Sequence, residues 1–166
     1  MKILGLAGWS GAGKTTLIVK LVPELVGRGL KVSTIKHAHH AFDVDTPGKD
    51  SYRHREAGAT EVLVASAHRW ALMHELRHEE EPSAADLMRH MTPVDLLLIE
   101  GFKREPHDKL EIFRRELGKS LLSAQDPSFV AILSDGPVPE IALRVLDLND
   151  IGAIADFIID RYGFRR

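Results

Sequence analysis

The densest chemistry in the sequence lies in one octapeptide near its start, Gly8-Trp9-Ser10-Gly11-Ala12-Gly13-Lys14-Thr15. This is the pattern of a glycine, four residues and then Gly-Lys-Thr, which lets a backbone curl until successive N–H groups point inward at phosphate oxygens. Gly11, Ala12 and Gly13 supply that cradle, and a helix starting near Lys14 adds the positive end of its dipole. Lys14 would reach the β- and γ-phosphates, Thr15 would place its hydroxyl on Mg²⁺, and Thr16 would assist at the α-phosphate. The implied ligand is a nucleoside triphosphate with magnesium.

A magnesium held this way needs a second protein contact, an acid at the end of another core strand. The run Leu96-Leu97-Leu98-Ile99-Glu100-Gly101 offers Glu100, acting on the ion or through a bound water, with Gly101 letting the backbone pass close to the γ-phosphate. Asp95 opens the same run, but an extended strand puts it about 16 Å from Glu100, so it is read as a cap. The polar stretch from His37 to Asp50 follows a predicted strand and reads as a functional loop. Its acids Asp43 and Asp45 either swing towards the nucleotide magnesium or stay solvated, and His37 and Lys49 join them as candidates for nucleotide or partner contacts. His37, His39 and His40 read as solvated or phosphate-near groups in preference to a transition-metal site, because no cysteine or i, i+4 pair supports one. Trp9 either packs under the phosphate loop or faces a partner subunit.

The elements around these residues give an α/β reading. Ile3 to Ala7 is a short apolar strand, and Leu17, Leu21 and Leu25 mark a helix in which Pro23 should interrupt one hydrogen bond with room for a kink, and which Gly27 and Gly29 should end. Lys31 to Lys36 supplies β-branched residues for a second strand and completes a βαβ unit, so a parallel sheet is expected. Asp50 to Ala57 reads as a short helix, and Glu61 to Ser66 with Trp70 to His74 as a hairpin about Ala67-His68, which is not a favoured turn sequence. Ser83 and Asp86 form a capping pattern for a helix to about Met91. Leu96 to Ile99 has the unbroken apolarity of a strand covered on both faces. Lys109 to Arg114, Phe129 to Leu133 and Val145 to Leu148 read as further strands, before a closing helix from Asp150 to about Arg161. The fold class is thus α/β: a three-layer P-loop NTPase fold, mainly parallel sheet flanked by helices, with room for a β-hairpin extension. Residues 1–166 read as one nucleotide-binding domain.

Composition narrows the function classes. With 22 Lys and Arg against 24 Asp and Glu, the chain has no general drive towards nucleic acid or an anionic membrane. No apolar run approaches the roughly 18 residues of a membrane span, and the absence of cysteine removes thiolate catalysis and suits the cytoplasm.

Five segments taken together resemble one family. They are Gly8 to Leu17, Ile35-Lys36-His37-Ala38-His39-His40, Phe42 to Ser51 (with its Asp-x-Asp-x-Pro-Gly-Lys-Asp-Ser run), Arg69-Trp70-Ala71-Leu72-Met73, and Leu98-Ile99-Glu100-Gly101-Phe102-Lys103. In this order, over nearly the whole chain, they resemble the molybdopterin-guanine dinucleotide biosynthesis adaptors. The resemblance implies a GTP-binding, weakly GTP-hydrolysing homodimer that assists attachment of GMP to molybdopterin, with molybdopterin guanylyltransferase and molybdopterin as partners. Carried onto matching positions, Gly11 to Thr16 bind phosphates, Thr15 and Glu100 magnesium, and the His37 to Ser51 loop nucleotide or partner. Trp9 departs from the family's commoner phenylalanine. Guanine choice rests on the resemblance, since no Asn-Lys-x-Asp or Thr-Lys-x-Asp occurs. Among the residues themselves Asp135 could accept from the N1–H and exocyclic amine of guanine, or be only the acid of the turn Ser134-Asp135-Gly136-Pro137. Two other readings compete. A small-molecule kinase would need a lid such as Arg53 and Arg55 or Lys103 and Arg104 could supply, and a nickel-delivering GTPase would use the His37 cluster.

Overall fold

The computed structural model of the chain describes residues 1–38, 42–102 and 105–165. They form two compact units, one made of Met1–His37 with Thr92–Arg166 and the other of Ala38–Met91. The strands are β1 (Lys2–Ala7), β2 (Val32–Lys36), β3 (Glu61–Ala65), β4 (Trp70–His74), β5 (Leu96–Glu100), β6 (Lys109–Phe113), β7 (Phe129–Ser134) and β8 (Arg144–Asp147). The helices are α1 (Lys14–Gly27), α2 (Asp50–Glu56), α3 (Ala84–Met88) and α4 (Ile151–Tyr162).

In the first unit six strands lie side by side in the order β2-β5-β1-β6-β7-β8. Every pairing is parallel. β5 shows why an apolar run of four residues is used before Glu100: it sits between β1 and β2, and all five of its residues are buried. Helices α1 and α4 cover one face, where Leu17, Leu21, Leu25, Ile154 and Ile158 meet Leu4, Leu6, Leu96 and Leu98. Pro23 lies inside α1 without ending it. Three buried leucines at about 1.5–3 kcal/mol each outweigh the roughly 3 kcal/mol a helix-interior proline costs.

β6 is buried at all five positions although it carries Lys109 and Glu111. Both charges are fully hydrogen-bonded, which is what makes their burial tolerable. Lys109 Nζ donates to Glu105 O (2.7 Å), Ser128 Oγ (2.6 Å) and Asp126 Oδ2 (3.1 Å). Glu111 accepts from the backbone N–H of Leu122 and Ser123 at 2.7 and 2.8 Å. These bonds fix the segment that follows β6.

The second unit holds the hairpin, with Glu61 opposite His74 and Ala65 opposite Trp70 in antiparallel register. The Ala67-His68 turn is closed by Ser66, whose N–H and hydroxyl both donate to Arg69 O, while Ser66 Oγ accepts from the N–H of His68 and Arg69. A serine side chain thus supplies the turn chemistry that Ala67-His68 lacks. Ser83 and Asp86 form the expected capping box, but α3 is short and ends at Met88. Arg55 is enclosed by three acids, Asp43, Asp45 and Glu75, at 2.8 to 3.2 Å.

His74 Nδ1 lies 2.8 Å from Glu61 and Nε2 3.1 Å from Glu79, and hydrogen bonds to Glu61 and then Glu79 raise its pKa above the ordinary 6.5. A raised folded-state value means that this pairing stabilises the hairpin fully below the unfolded pKa of about 6.5 and is lost as pH rises through the folded one. A proton NMR titration is expected to place the His74 midpoint above 6.5 and Glu61→Gln to move it down. A midpoint unmoved by that substitution would show that Glu61 does not set it.

Candidate functional site

In the first unit the chemically interesting groups emerge at the C-terminal ends of parallel strands, where open α/β sheets bind ligands. Residues 8–13 follow β1, Glu100 ends β5, Arg114 follows β6, Asp135 follows β7, and Leu148 and Asn149 follow β8. The order of strands therefore sets which groups are neighbours around the loop.

The loop bends through Gly13, whose φ of 95° lies in the left-handed region that favours glycine. Ala12 N–H donates to Trp9 O (3.1 Å), and α1 starts at Lys14 without a side-chain cap. Its first amides thus point out of the helix end, as anion binding requires. Lys14 Nζ folds back over the loop to donate to Gly8 O (3.0 Å) and Trp9 O (3.1 Å), which centres its charge above the curled backbone. Trp9 packs: its Nε1–H donates to Ser120 O (2.9 Å) and Lys119 Nζ lies 5.7 Å from its ring centroid.

Thr15 and Glu100, 85 positions apart in sequence, meet at the mouth of this loop. The Thr15 hydroxyl is 3.3 Å from both carboxylate oxygens of Glu100, and Lys36 Nζ stands 3.9 Å from Oε1. A hydroxyl and a carboxylate side by side are hard oxygen donors of the kind Mg²⁺ prefers, with phosphates and water completing the shell. Gly101 then turns with φ 101°, and any side chain there would lie 2.6 Å from His37 Cβ. His37 donates its N–H to Glu100 O (2.8 Å) and stacks on Phe102 at 4.6 Å between centroids, so the second strand's loop begins against the acid.

The other sequence candidates are distributed more widely. Asp43, Asp45 and Lys49 belong to the second unit. Asp45 is nearly enclosed and, although burial opposes it, hydrogen bonds from Ser51, Thr46 N–H and Arg55 hold its carboxyl below the usual range. Asp43 is lowered by the Asp45 N–H and by Arg55. Lys49 precedes α2 as its N-cap residue. His39, His40, Lys103 and Arg104 lie outside the described residues. Among the described residues no three His, Asp or Glu side chains cluster as a metal site.

Asp135 has a partner that sequence reasoning overlooked. Arg114 ion-pairs with its Oδ2 through Nη1 and donates through Nε to Ala12 O (3.0 Å). The available signal was an arginine immediately beyond an apolar strand. Its partners, 102 and 21 positions away, gave no local pattern.

A six-stranded parallel sheet carrying this loop between its first strand and first helix defines a P-loop NTPase-type α/β protein. The chain belongs to the MobB family, molybdopterin guanine dinucleotide synthesis protein B, whose model it matches over residues 3–135. It is 45% identical over 161 residues to the molybdopterin-guanine dinucleotide biosynthesis adapter protein of Escherichia coli (strain K12), covering 95% of this chain and 91% of that one. The Haemophilus influenzae protein of the same name is 45% identical over 159 residues, 94% of this chain and 86% of that one. Among solved structures, Bacillus subtilis MobB superposes with a TM-score of 0.75 at 25% identity, covering 97% of this chain and 98% of that one.

Proposed function

We propose that the chain binds GTP with Mg²⁺ and, as an adaptor with at most slow GTPase activity, assists the attachment of GMP to molybdopterin. The observation that carries the nucleotide part is the meeting of Thr15 and Glu100 at 3.3 Å beside a loop whose Lys14 is folded over it. Gly11 to Thr16 bind the phosphates, Thr15 and Glu100 the metal, and Asp135 the base. The pathway part is supported by family membership and the adapter relatives.

The proposed partners are molybdopterin guanylyltransferase, molybdopterin and a second copy of the chain, with His37, Asp43, Asp45 and Lys49 offered to nucleotide or partner. A homodimer is supported by the hairpin, where Leu63, Val64, Trp70 and Leu72 are all exposed on a two-stranded sheet, an arrangement marginal in water by itself. Among the described residues no helix is long and apolar enough to cross a membrane, and we place the protein in the cytoplasm.

Slow turnover follows from the absence of an in-line orienting glutamine after Glu100, where the sequence reads Gly101-Phe102. Calorimetry with Mg²⁺ and GTP or ATP is the deciding measurement, and GTP should bind more tightly. Steady-state hydrolysis by the isolated protein is expected below about 1 per second, and a faster rate would overturn the adaptor reading. Stimulation of the guanylyltransferase on adding the protein tests the pathway role directly.

A further inference from the structure

We infer that Arg114 is a positioning residue for base selection: it fixes the Asp135 carboxylate against the phosphate loop, so that base discrimination depends on it although it touches no base atom. This rests on the reading of the protein as a GTP binder with Asp135 at the base.

The geometry is specific. Arg114 lies one residue past β6, the strand beside β1, so its side chain starts next to the loop it touches. Its Nε donates to Ala12 O at 3.0 Å, and a Cβ added at Gly13 would sit 3.5 Å from Nη2, so the guanidinium lies against two successive loop residues. Nη1 holds Asp135 Oδ2 from the opposite side. A planar guanidinium sets the distance and angle between its donors, so the carboxylate is held at a fixed offset from the loop backbone. A lysine's single ammonium cannot do this. Both side chains are about one quarter exposed, which makes the pair less screened than a surface ion pair.

A carboxylate has about four lone-pair positions, so engagement of Oδ2 leaves capacity for the N1–H and exocyclic amine of guanine. Arg114 also lines a small cleft together with Gly13, Thr16, Lys20, Leu148 and Asn149. The arginine therefore stands where the first turn of α1 meets the start of α4, between phosphate-binding and base-reading groups. Adenine offers an acceptor at N1 and would face a fixed carboxylate without a donor, an unfavourable pairing that a mobile carboxylate would avoid.

The test compares wild type, Arg114→Met, Arg114→Lys and Asp135→Asn by calorimetry with Mg²⁺ and GTP, ATP or inorganic triphosphate, with folding checked by circular dichroism. Arg114→Met should reduce the GTP-to-ATP affinity ratio about tenfold, the size of one charged hydrogen bond, while inorganic triphosphate affinity stays within about threefold. Arg114→Lys should not restore the ratio. Asp135→Asn should lower it similarly, and adding Arg114→Met to it should cost no further discrimination. If Arg114→Met does not fold, that lack of discrimination by Arg114→Lys carries the same test. Equal losses for all three ligands would mean that Arg114 only braces the loop and would overturn the inference, as would an undiminished ratio. A wild type that does not prefer GTP would overturn the underlying reading and this inference with it, whereas a wild-type preference kept in the variants overturns this inference alone.

Discussion

Lys14→Ala is expected to lower affinity for a nucleoside triphosphate at least about thirtyfold while the protein stays folded. The ammonium is held over the loop by Gly8 O and Trp9 O, at 3.0 and 3.1 Å, so it meets the phosphates already positioned. Removing a charge that faces a desolvated polyanion costs about 2–5 kcal/mol, or roughly thirty- to several thousandfold in affinity. The cost to the fold is smaller. The two carbonyls lose a cationic donor at about 1.5–3 kcal/mol, against a total stability of order 5–15, and alanine is favourable at a helix start. Calorimetry and thermal unfolding on the same sample separate the two quantities. A folded variant with wild-type affinity would remove Lys14 from the site.

What could be read in the sequence was what local spacing encodes. The phosphate loop, the leucines of α1 at four-residue intervals and the apolar β5 ending in Glu100 each declare themselves within a few residues, and each stands where expected. The mainly parallel sheet flanked by helices followed from the alternation of those elements. What stayed hidden depends on partners distant in sequence. Lys109 and Glu111 weaken the apolar pattern of β6 until the bonds to Asp126, Ser128, Leu122 and Ser123 are known. Pro23 signalled locally the loss of one helical hydrogen bond, while the buried leucines on both sides of it, which carry α1 through to Gly27, are a tertiary signal. Arg55 looked available for a lid over phosphates, yet three carboxylates of its own unit occupy it. The same logic applies at Asp135, where the turn sequence was visible and the arginine against it was not.

Glu100→Gln is the second substitution with a large expected effect, and its value lies in comparing two ligands. The residue ends a fully buried strand and faces the Thr15 hydroxyl with both oxygens at 3.3 Å. Glutamine keeps the size and one acceptor, so the Thr15 contact survives while the charge is lost. Lys36, the cation 3.9 Å away, has a largely exposed side chain, and breaking such a pair changes stability little. If Glu100 holds Mg²⁺ or a water on it, the Mg²⁺-dependent part of triphosphate affinity should fall about 10- to 100-fold, the usual range for groups that orient or support a metal's ligands. Without magnesium the sign reverses, because a carboxylate near phosphates repels them at close range. Diphosphate binding in the presence of a chelator should therefore be unchanged or somewhat tighter in the variant. Titrating GTP with Mg²⁺ and GDP with chelator against both proteins gives the two ratios. Equal losses for the two ligands would place Glu100 in the architecture of the strand end and not on the metal.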